Sequence, residues 1–283
     1  MIIMTPSEDI TAMIKNKIIR ELKILAQHEF IELTTRGNAA ITAALSSLPK
    51  DKIVLIPAEG GWLSYKTAPP KLGLKIEEVQ CDDAIINLAD LQEKLSSDTI
   101  GALLYQNPGG YFAEQPMKEI FKICHQYHCL VIMDVSGSIG TSWCDGRYAD
   151  IFVGSFGEWK LVEAKAGGFI SSDDPKIWVK IIPTLEILQS EDTMHKISQN
   201  LDLLKERITF LQEKAAQVKK DLRHLNVLHP STPGFVVVIT FNSAEEKNAI
   251  TNYCKKHQLE WTECPRYIRL NQAAISIEIK RLS

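Results

Sequence analysis

The fold of this chain is decided by the stretch LVIMDVSG at residues 130–137. Its first residues are apolar without alternation, which is typical of a strand buried on both faces of a parallel sheet. Similar short runs occur at 30–34, 53–56, 74–79, 100–105, 151–155 and 168–171. Helical stretches separate most of them, at 8–28, 38–48, 88–95 and 116–127. The sequence therefore predicts an α/β fold, with a mainly parallel seven-stranded sheet and helices on both faces.

The pattern changes after about Pro183, where we place a boundary between two domains. Beyond it, one long amphipathic helix is predicted over 197–222. A strand over 235–241, a helix over 244–257 and short strands over 268–270 and 275–279 follow. We therefore expect a large domain over 1–185 and a small C-terminal α+β domain over 186–283, which includes the long connecting helix.

Composition and charge argue against several classes of function. The chain has 283 residues and a formal net charge of −3, so no broad basic surface for nucleic acid is expected. No apolar run approaches the roughly 18 residues that a membrane-spanning helix needs, so no membrane partner is expected. The six cysteines are scattered, which predicts reduced thiols. The short apolar N-terminus is followed at once by acidic residues and gives no export signal, so we expect a cytoplasmic location.

The residues that follow the strands carry the functional argument, because ligands of an open parallel sheet bind at the carboxyl ends of its strands. After the 30–34 strand, Gly37, Asn38 and Ala39 begin a helix. The free amides of such a first turn are suited to bind a phosphate. An ordinary capped helix gives the same pattern, so this turn is not decisive by itself.

Two ionisable residues follow later strands. Asp134 ends the 130–134 strand, and its buried carboxylate needs a partner, either a protonated pyridine nitrogen or the amides of its own loop. Lys160 follows the 151–155 strand, where desolvation is expected to lower its pKa and free the amine to attack an aldehyde. A solvated surface lysine is the alternative. Both residues are expected at the same edge of the sheet.

Together these residues resemble the site of fold-type I enzymes that use pyridoxal 5′-phosphate (PLP). The stretch SFGEWK at 155–160 and the glycine pair at 167–168 are similar to the S-F-x-x-x-K motif and glycine pair of DegT/StrS-type sugar aminotransferases. The resemblance implies that Lys160 holds PLP as a Schiff base. It also implies that Ser155 contacts the cofactor phosphate and Asp134 the pyridine nitrogen.

The chain departs from this family at several positions. Arg36, Gly37 and Asn38 stand where the family has Ser-Gly-Thr in its phosphate-binding turn. Gly137 stands where the family usually has Gln, and the Asn-x-Arg segment before the family's long helix is not recognisable. The resemblance is good over roughly 30–172, so it bears on the cofactor more than on the substrate.

Three further residues are candidates by position. Trp62 stands where fold-type I enzymes stack an aromatic ring on PLP, although it could equally pack its own loop. Asn107 begins an Asn-Pro-Gly-Gly turn where many aminotransferases contact the ring hydroxyl, although such turns are common. Arg269 stands where relatives that take α-amino acids bind the substrate carboxylate, although surface arginines are common. The stretch CHQYHC at 124–129 lacks a second ligand pair, so no metal site is expected.

We therefore predict a PLP-dependent aminotransferase whose partners are a small-molecule amino donor and a keto acceptor, with an amino acid or an amino or keto sugar as substrate. The alternatives are a PLP lyase or desulfurase, for which Cys254 and Cys264 supply thiols, and a PLP-fold protein that binds without turnover. No G-x-G-x-x-G opens the first helix, which argues against a nicotinamide enzyme. Relatives build their sites from two chains, and apolar loops surround Trp62 and Tyr111, so a homodimer is expected.

Overall fold

The structure is a computed structural model that describes residues 6–283, with side chains from residue 10 onward. The central sheet contains β1 (Phe30–Thr34), β2 (Ile53–Pro57), β3 (Lys75–Val79), β4 (Ile100–Gln106), β5 (Leu130–Asp134), β6 (Ile151–Ser155) and β7 (Gly168–Ser172). A smaller sheet contains β8 (Asn226–Val227), β9 (Val237–Thr240), β10 (Trp261–Arg266) and β11 (Leu270–Ile277). A short hairpin pairs Cys81–Asp82 with Ile85–Ile86.

The helices are α1 (Pro6–Ala26), α2 (Gly37–Ser46), α3 (Leu63–Lys71), α4 (Leu88–Leu95), α5 (Met117–Gln126), α6 (Pro175–Ile181), α7 (Glu191–Asp202), α8 (Leu204–Asp221) and α9 (Ala244–Lys256). Short 3₁₀ turns cover Gly146–Tyr148, Ile182–Thr184 and Ile279–Arg281. None of the helices in the described part of the chain is long and apolar enough to cross a membrane.

The central sheet has the strand order β1-β7-β6-β5-β4-β2-β3. Strands β3, β2, β4, β5 and β6 pair in parallel, whereas β7 is antiparallel to both β6 and β1. The predicted α/β class and mainly parallel seven-stranded sheet are confirmed. Because β7 alone is reversed, β1, β2, β4, β5 and β6 present their carboxyl ends at one edge.

The central strands are buried on both faces, as the absence of alternation predicts. In β5, Val131 and Met133 belong to one hydrophobic layer and Ile132 to the other, and all three are fully buried. The first layer includes side chains of α1, α4, α5 and the small sheet, and the second those of α2, α3 and α6. Helices therefore cover both faces.

The helix predicted over 197–222 is two helices, α7 and α8, separated at Leu203. The halves have different partners. Asp202 of α7 accepts hydrogen bonds from Lys17 of α1 at 2.8 and 2.9 Å. Arg207 of α8 donates to the carbonyls of Leu282 and Lys280 in the C-terminal segment. The amphipathic pattern continues across the break because both helices bury one face, so periodicity alone does not reveal it.

The strands predicted over 268–270 and 275–279 are also corrected. The structure has one continuous strand, β11, which forms a hairpin with β10 over Cα partners Trp261–Ile277 to Arg266–Leu270. Strand β10 escaped prediction because it is an edge strand with a polar sequence that includes Pro265. Proline is tolerated at such an edge because no neighbouring strand needs its missing N–H.

The small sheet contains a buried ion pair. Arg269 Nη2 donates to the two carboxylate oxygens of Glu278 at 2.8 and 3.1 Å, and both residues are buried. Burial alone would raise the pKa of Glu278, but the charges of Arg269 and Lys280 outweigh it and lower this pKa to about 2. Because the folded pKa lies below the unfolded value of about 4.3, the carboxylate stabilises the fold above that pH. This contribution is lost as the pH falls toward about 2.

We predict that Glu278→Gln lowers the free energy of unfolding by about 3 kcal/mol at neutral pH, because Arg269 is left buried without its carboxylate. Glu260→Gln is the matched control: Glu260 pairs with Arg281 at 2.6 Å, but its side chain is 63% exposed. Exposed ion pairs contribute only about 0–1 kcal/mol. Urea unfolding measures both variants. The difference in the free energy of unfolding between wild type and Glu278→Gln should become smaller as the pH falls from about 5 to about 2. If the two proteins were equally stable at neutral pH, the stabilising role of the Arg269–Glu278 pair would be contradicted.

Candidate active site

A cleft with a cavity volume of about 180 Å³ opens where β1, β4, β5 and β6 end. The cleft is lined by Arg36, Gly37, Asn38, Ile41, Trp62, Gln106, Tyr111, Asp134, Ser136, Val153, Gly154, Ser155 and Lys160. The structure therefore brings together six residues predicted from the sequence: Gly37, Asn38, Trp62, Asp134, Ser155 and Lys160.

Lys160 follows β6 and directs its amine into the cleft. Its Nζ donates to Tyr111 Oη at 2.8 Å and lies 5.4 Å from the centroid of the Trp62 ring. Burial lowers the pKa of Lys160, but Tyr111 and then Asp134 outweigh burial, and the net direction is upward. The expectation that desolvation dominates is wrong: the sequence places Asp134 at the same edge of the sheet, but it does not reveal the hydrogen bond to Tyr111. Lys165, the other lysine of this segment, is exposed and does not line the cleft.

Asp134 ends β5 at the floor of the cleft and is buried. Its Oδ1 accepts from the backbone N–H of Ser136 at 2.9 Å, and its Oδ2 accepts from Tyr65 Oη at 2.8 Å. Burial and then the Asp134 carboxylate raise the pKa of Tyr65 well above its usual range, so Tyr65 stays a neutral donor. A carboxylate has about four acceptor positions, so Asp134 can accept one loop amide and still bind a donor in the cleft.

The start of α2 forms the other end of the cleft. Arg36 is its N-cap residue and, in the described part of the chain, makes no side-chain hydrogen bond to the first turn. A Cβ on Gly37 would lie 2.7 Å from Ser155 Cβ, so glycine is what lets α2 approach β6. Asn38 Oδ1 accepts from Trp62 Nε1 at 2.9 Å. A helix start without a side-chain cap, with a hydroxyl and a guanidinium beside it, suits a phosphate group.

Three predicted residues do not line the cleft. Ala39 is buried against the sheet, and its N–H donates to Arg36 O at 3.1 Å. Asn107 is fully buried: its Oδ1 accepts from Gln115 N at 3.0 Å, and its Nδ2 donates to Trp143 O at 3.1 Å. Both therefore use their polar groups within the protein.

Arg269 is the third of these residues. Its Nη2 is paired with Glu278, and its Nε donates to Ser276 Oγ at 3.1 Å. Its Cζ lies 5.4 Å from the centroid of the Tyr111 ring. Arg269 therefore stands behind the cleft wall rather than in the cleft.

The structure adds three polar residues that the sequence did not single out, Tyr65, Gln106 and Ser136. It also places Tyr111, which the sequence named only within a loop expected at a dimer contact, in the wall of the cleft. Tyr65 stands one helical turn after Trp62, a weak signal that ordinary helix packing would also give. Tyr111 follows a Gly-Gly turn and adopts a left-handed backbone with φ 69°. A sequence does not reveal such a conformation in a tyrosine.

In the stretch at 124–129, the two cysteines belong to the core and the four residues between them are exposed. Cys124 and Cys129 are buried, and His125 Nε2 lies 3.1 Å from both carboxylate oxygens of Asp150. Across the described residues, no three His, Cys, Asp or Glu side chains gather in a way that could hold a metal ion.

The donor set of the cleft fits PLP. The helix start with Ser155 suits the phosphate, Asp134 suits a protonated ring nitrogen, and Lys160 offers an amine to the aldehyde. Trp62 supplies an aromatic wall on which a planar ring can stack.

Comparisons with known proteins agree with this chemistry. Residues 20–224 match the sequence model of the DegT/DnrJ/EryC1/StrS aminotransferase family, and residues 191–283 match that of the MJ1341 family C-terminal domain. No curated protein matches the chain.

Solved structures with the same fold include DesI, determined in the presence of its TDP-sugar product, with TM-score 0.77 and 14% identity over 94% of this chain and 79% of that chain. 3-Amino-5-hydroxybenzoic acid synthase has a TM-score of 0.75 and 14% identity, over 95% of this chain and 86% of that chain. Serine palmitoyltransferase from S. paucimobilis, with bound PLP, has a TM-score of 0.72 and 13% identity, over 95% of this chain and 72% of that chain. The family match and the PLP-bound structures indicate PLP as the cofactor.

We predict that Ser155→Ala weakens PLP binding about tenfold, because one hydrogen bond to a charged phosphate is lost. Pyridoxal, which lacks the phosphate, is the matched control and should bind wild type and variant equally. Titrations followed by the quenching of tryptophan fluorescence measure both ligands. An equal loss for PLP and pyridoxal would show that Ser155 does not contact the phosphate.

Proposed function

Because the chain belongs to the DegT/DnrJ/EryC1/StrS aminotransferase family, we propose that it is a PLP-dependent aminotransferase in which Lys160 carries the cofactor. The observation that carries this proposal is the meeting of Lys160, Asp134 and Ser155 in one cleft. These residues come from two strand ends and one loop, and each supplies a different chemical group that PLP needs. A surface lysine with no such neighbours would not support this function.

Each residue has a role in the proposed reaction. Gly37, Asn38 and Ser155 bind the phosphate, and Asp134 keeps the ring nitrogen protonated. When bound, PLP supplies an electron sink for the electron pair left when the substrate's α-C–H bond breaks. Lys160 Nζ would be the base that takes the substrate's α-proton and the acid that later returns it.

The substrate classes proposed are an amino acid as amino donor and a keto acid or keto sugar as acceptor. DesI was solved with its TDP-sugar product, which supports a sugar as one candidate. The desulfurase alternative needs a reactive thiol. Burial raises the pKa of Cys254 to about 11 and also raises the pKa of Cys264, which disfavours the thiolate form of both. The other alternative is a protein that binds PLP without catalysing a reaction. The following experiment distinguishes it from an aminotransferase.

We predict that borohydride reduction of the PLP-loaded protein places the pyridoxyl group on Lys160. Lys160→Ala should lose the label, whereas Lys165→Ala should keep it, because Lys165 is exposed outside the cleft. Peptide mass spectrometry locates the group. The loaded protein should then transfer amine between amino acids and keto acids or keto sugars. A label on Lys165, or label on Lys160 without any amine transfer, would contradict the proposal.

We also propose a homodimer. Tyr111 does not support it, because this ring is buried within its own chain. Leu63, which follows Trp62 in the sequence, does support it, because Leu63 is apolar and 54% exposed. We predict that light scattering of the PLP-loaded protein gives twice the 31.8 kDa chain mass, because two-fold contacts are the commonest way to cover such surface. Leu63→Glu should shift the protein toward monomer, and a monomeric, active wild type would overturn the proposal.

A further inference from the structure

We infer that Tyr111 is the positioning residue of Lys160: it fixes the direction of the amine in the cleft and controls when that amine is free to react. The inference rests on the proposed function, because it assigns a partner to the proposed cofactor lysine. The contact that motivates it is the 2.8 Å hydrogen bond from Lys160 Nζ to Tyr111 Oη.

The backbone of Tyr111 is held in an unusual conformation. Its φ of 69° is left-handed, a conformation that strains a residue with a Cβ. The conformation is fixed from both sides, since Tyr111 N donates to Pro108 O at 3.1 Å and Tyr111 O accepts from Phe235 N at 2.9 Å. Such strain persists where the surrounding structure enforces it, and it is frequent at active sites.

The space for the Tyr111 ring exists because residue 137 is glycine. A Cβ on Gly137 would lie 2.7 Å from Tyr111 Cδ1 and 2.9 Å from Cε1. Any residue other than glycine at this position would bring its Cβ too close to the ring where the ring now lies. Tyr111 and Gly137 are therefore a linked pair, and Tyr111 lines the cleft.

Two cations that flank β11, Arg269 before it and Lys280 after it, contact the Tyr111 ring. Lys280 Nζ lies 5.0 Å and Arg269 Cζ 5.4 Å from the centroid of the Tyr111 ring, whereas Lys160 Nζ lies 5.2 Å from it. Cations at such distances are attracted to the ring face. Glu278 pairs with both Arg269 and Lys280, so these two cations are themselves fixed. The ring cannot turn away without breaking these contacts.

The consequence for Lys160 concerns its proton. The charged and titratable groups near its amine are Tyr111, Asp134, Arg269 and Lys280. Burial and Arg269 oppose the charged amine, and Tyr111 and Asp134 favour it. Only a neutral amine, which has given one proton to solvent, can attack an aldehyde carbon. Tyr111 counteracts the effect of burial on the Lys160 pKa. Without the Tyr111 hydroxyl this pKa should fall, and the amine should become neutral at a lower pH.

The test is competitive acetylation of the cofactor-free protein with acetic anhydride at a series of pH values, with Lys160 followed by peptide mass spectrometry. Below the wild-type pKa, Tyr111→Phe should acetylate Lys160 roughly tenfold faster for each unit by which the pKa falls. Tyr105→Phe is the matched control, because the buried Tyr105 hydroxyl has no hydrogen-bond partner among the described residues. A Tyr111→Phe profile that coincides with those of wild type and Tyr105→Phe overturns the inference.

A second variant keeps the test decisive if Tyr111→Phe does not fold. Gly137→Ala keeps the hydroxyl but pushes the ring from its place, so Lys160 should again react at lower pH. An unchanged Gly137→Ala profile then overturns the inference. PLP loading is measured separately. If wild type fails to load PLP, the proposed function fails while acetylation still decides the role of Tyr111. If wild type loads PLP and acetylation is unchanged, the inference alone fails.

Discussion

The cleft depends on the close approach of the start of α2 to the last residue of β6 and the first residue of β7. This approach requires glycines: a Cβ on Gly37 would lie 2.7 Å from Ser155 Cβ, and one on Gly168 would lie 2.7 Å from Gly37 N. The reversal of β7 contributes, because it places Gly168 opposite Ser155 in the antiparallel register. The positive end of the α2 dipole is thereby fixed beside Ser155, so an anionic group bound there meets both a hydroxyl and a helix start.

In the cleft, the charge states of Lys160 and Asp134 depend on the side chains and amides that contact them in the folded protein. Lys160 is shielded from water, which disfavours its charge, yet Tyr111 and Asp134 hold that charge in place. Asp134 is stabilised in turn by Tyr65 and the Ser136 amide. The lysine and the carboxylate are therefore prepared before a ligand enters, and the protein does not need to reorganise them when it binds.

The sequence predicted the parts of the site that depend on strand order. The seven buried runs define the edge of the sheet, and Lys160, Asp134 and Gly37 follow from their positions after strands. Asn107 also follows a strand, but strand order does not fix where a side chain points, and its amide turns inward to Gln115 and Trp143. The role of Tyr111 depends on a left-handed backbone and on a glycine far along the chain, so no local pattern predicts it.

Two departures from the family pattern are connected with aromatic residues of the cleft. Asn38, in place of threonine, accepts a hydrogen bond from Trp62 Nε1 and so ties the Trp62 ring to the start of α2. Gly137, in place of glutamine, makes room for Tyr111. Each altered residue therefore contacts an aromatic side chain, Trp62 or Tyr111, that lines the same cleft. A departure that degraded the site would leave a gap or an unpaired group there. These departures instead leave the cleft walled by two rings with Lys160 between them, its Nζ 5.4 Å from the centroid of one ring and 5.2 Å from that of the other.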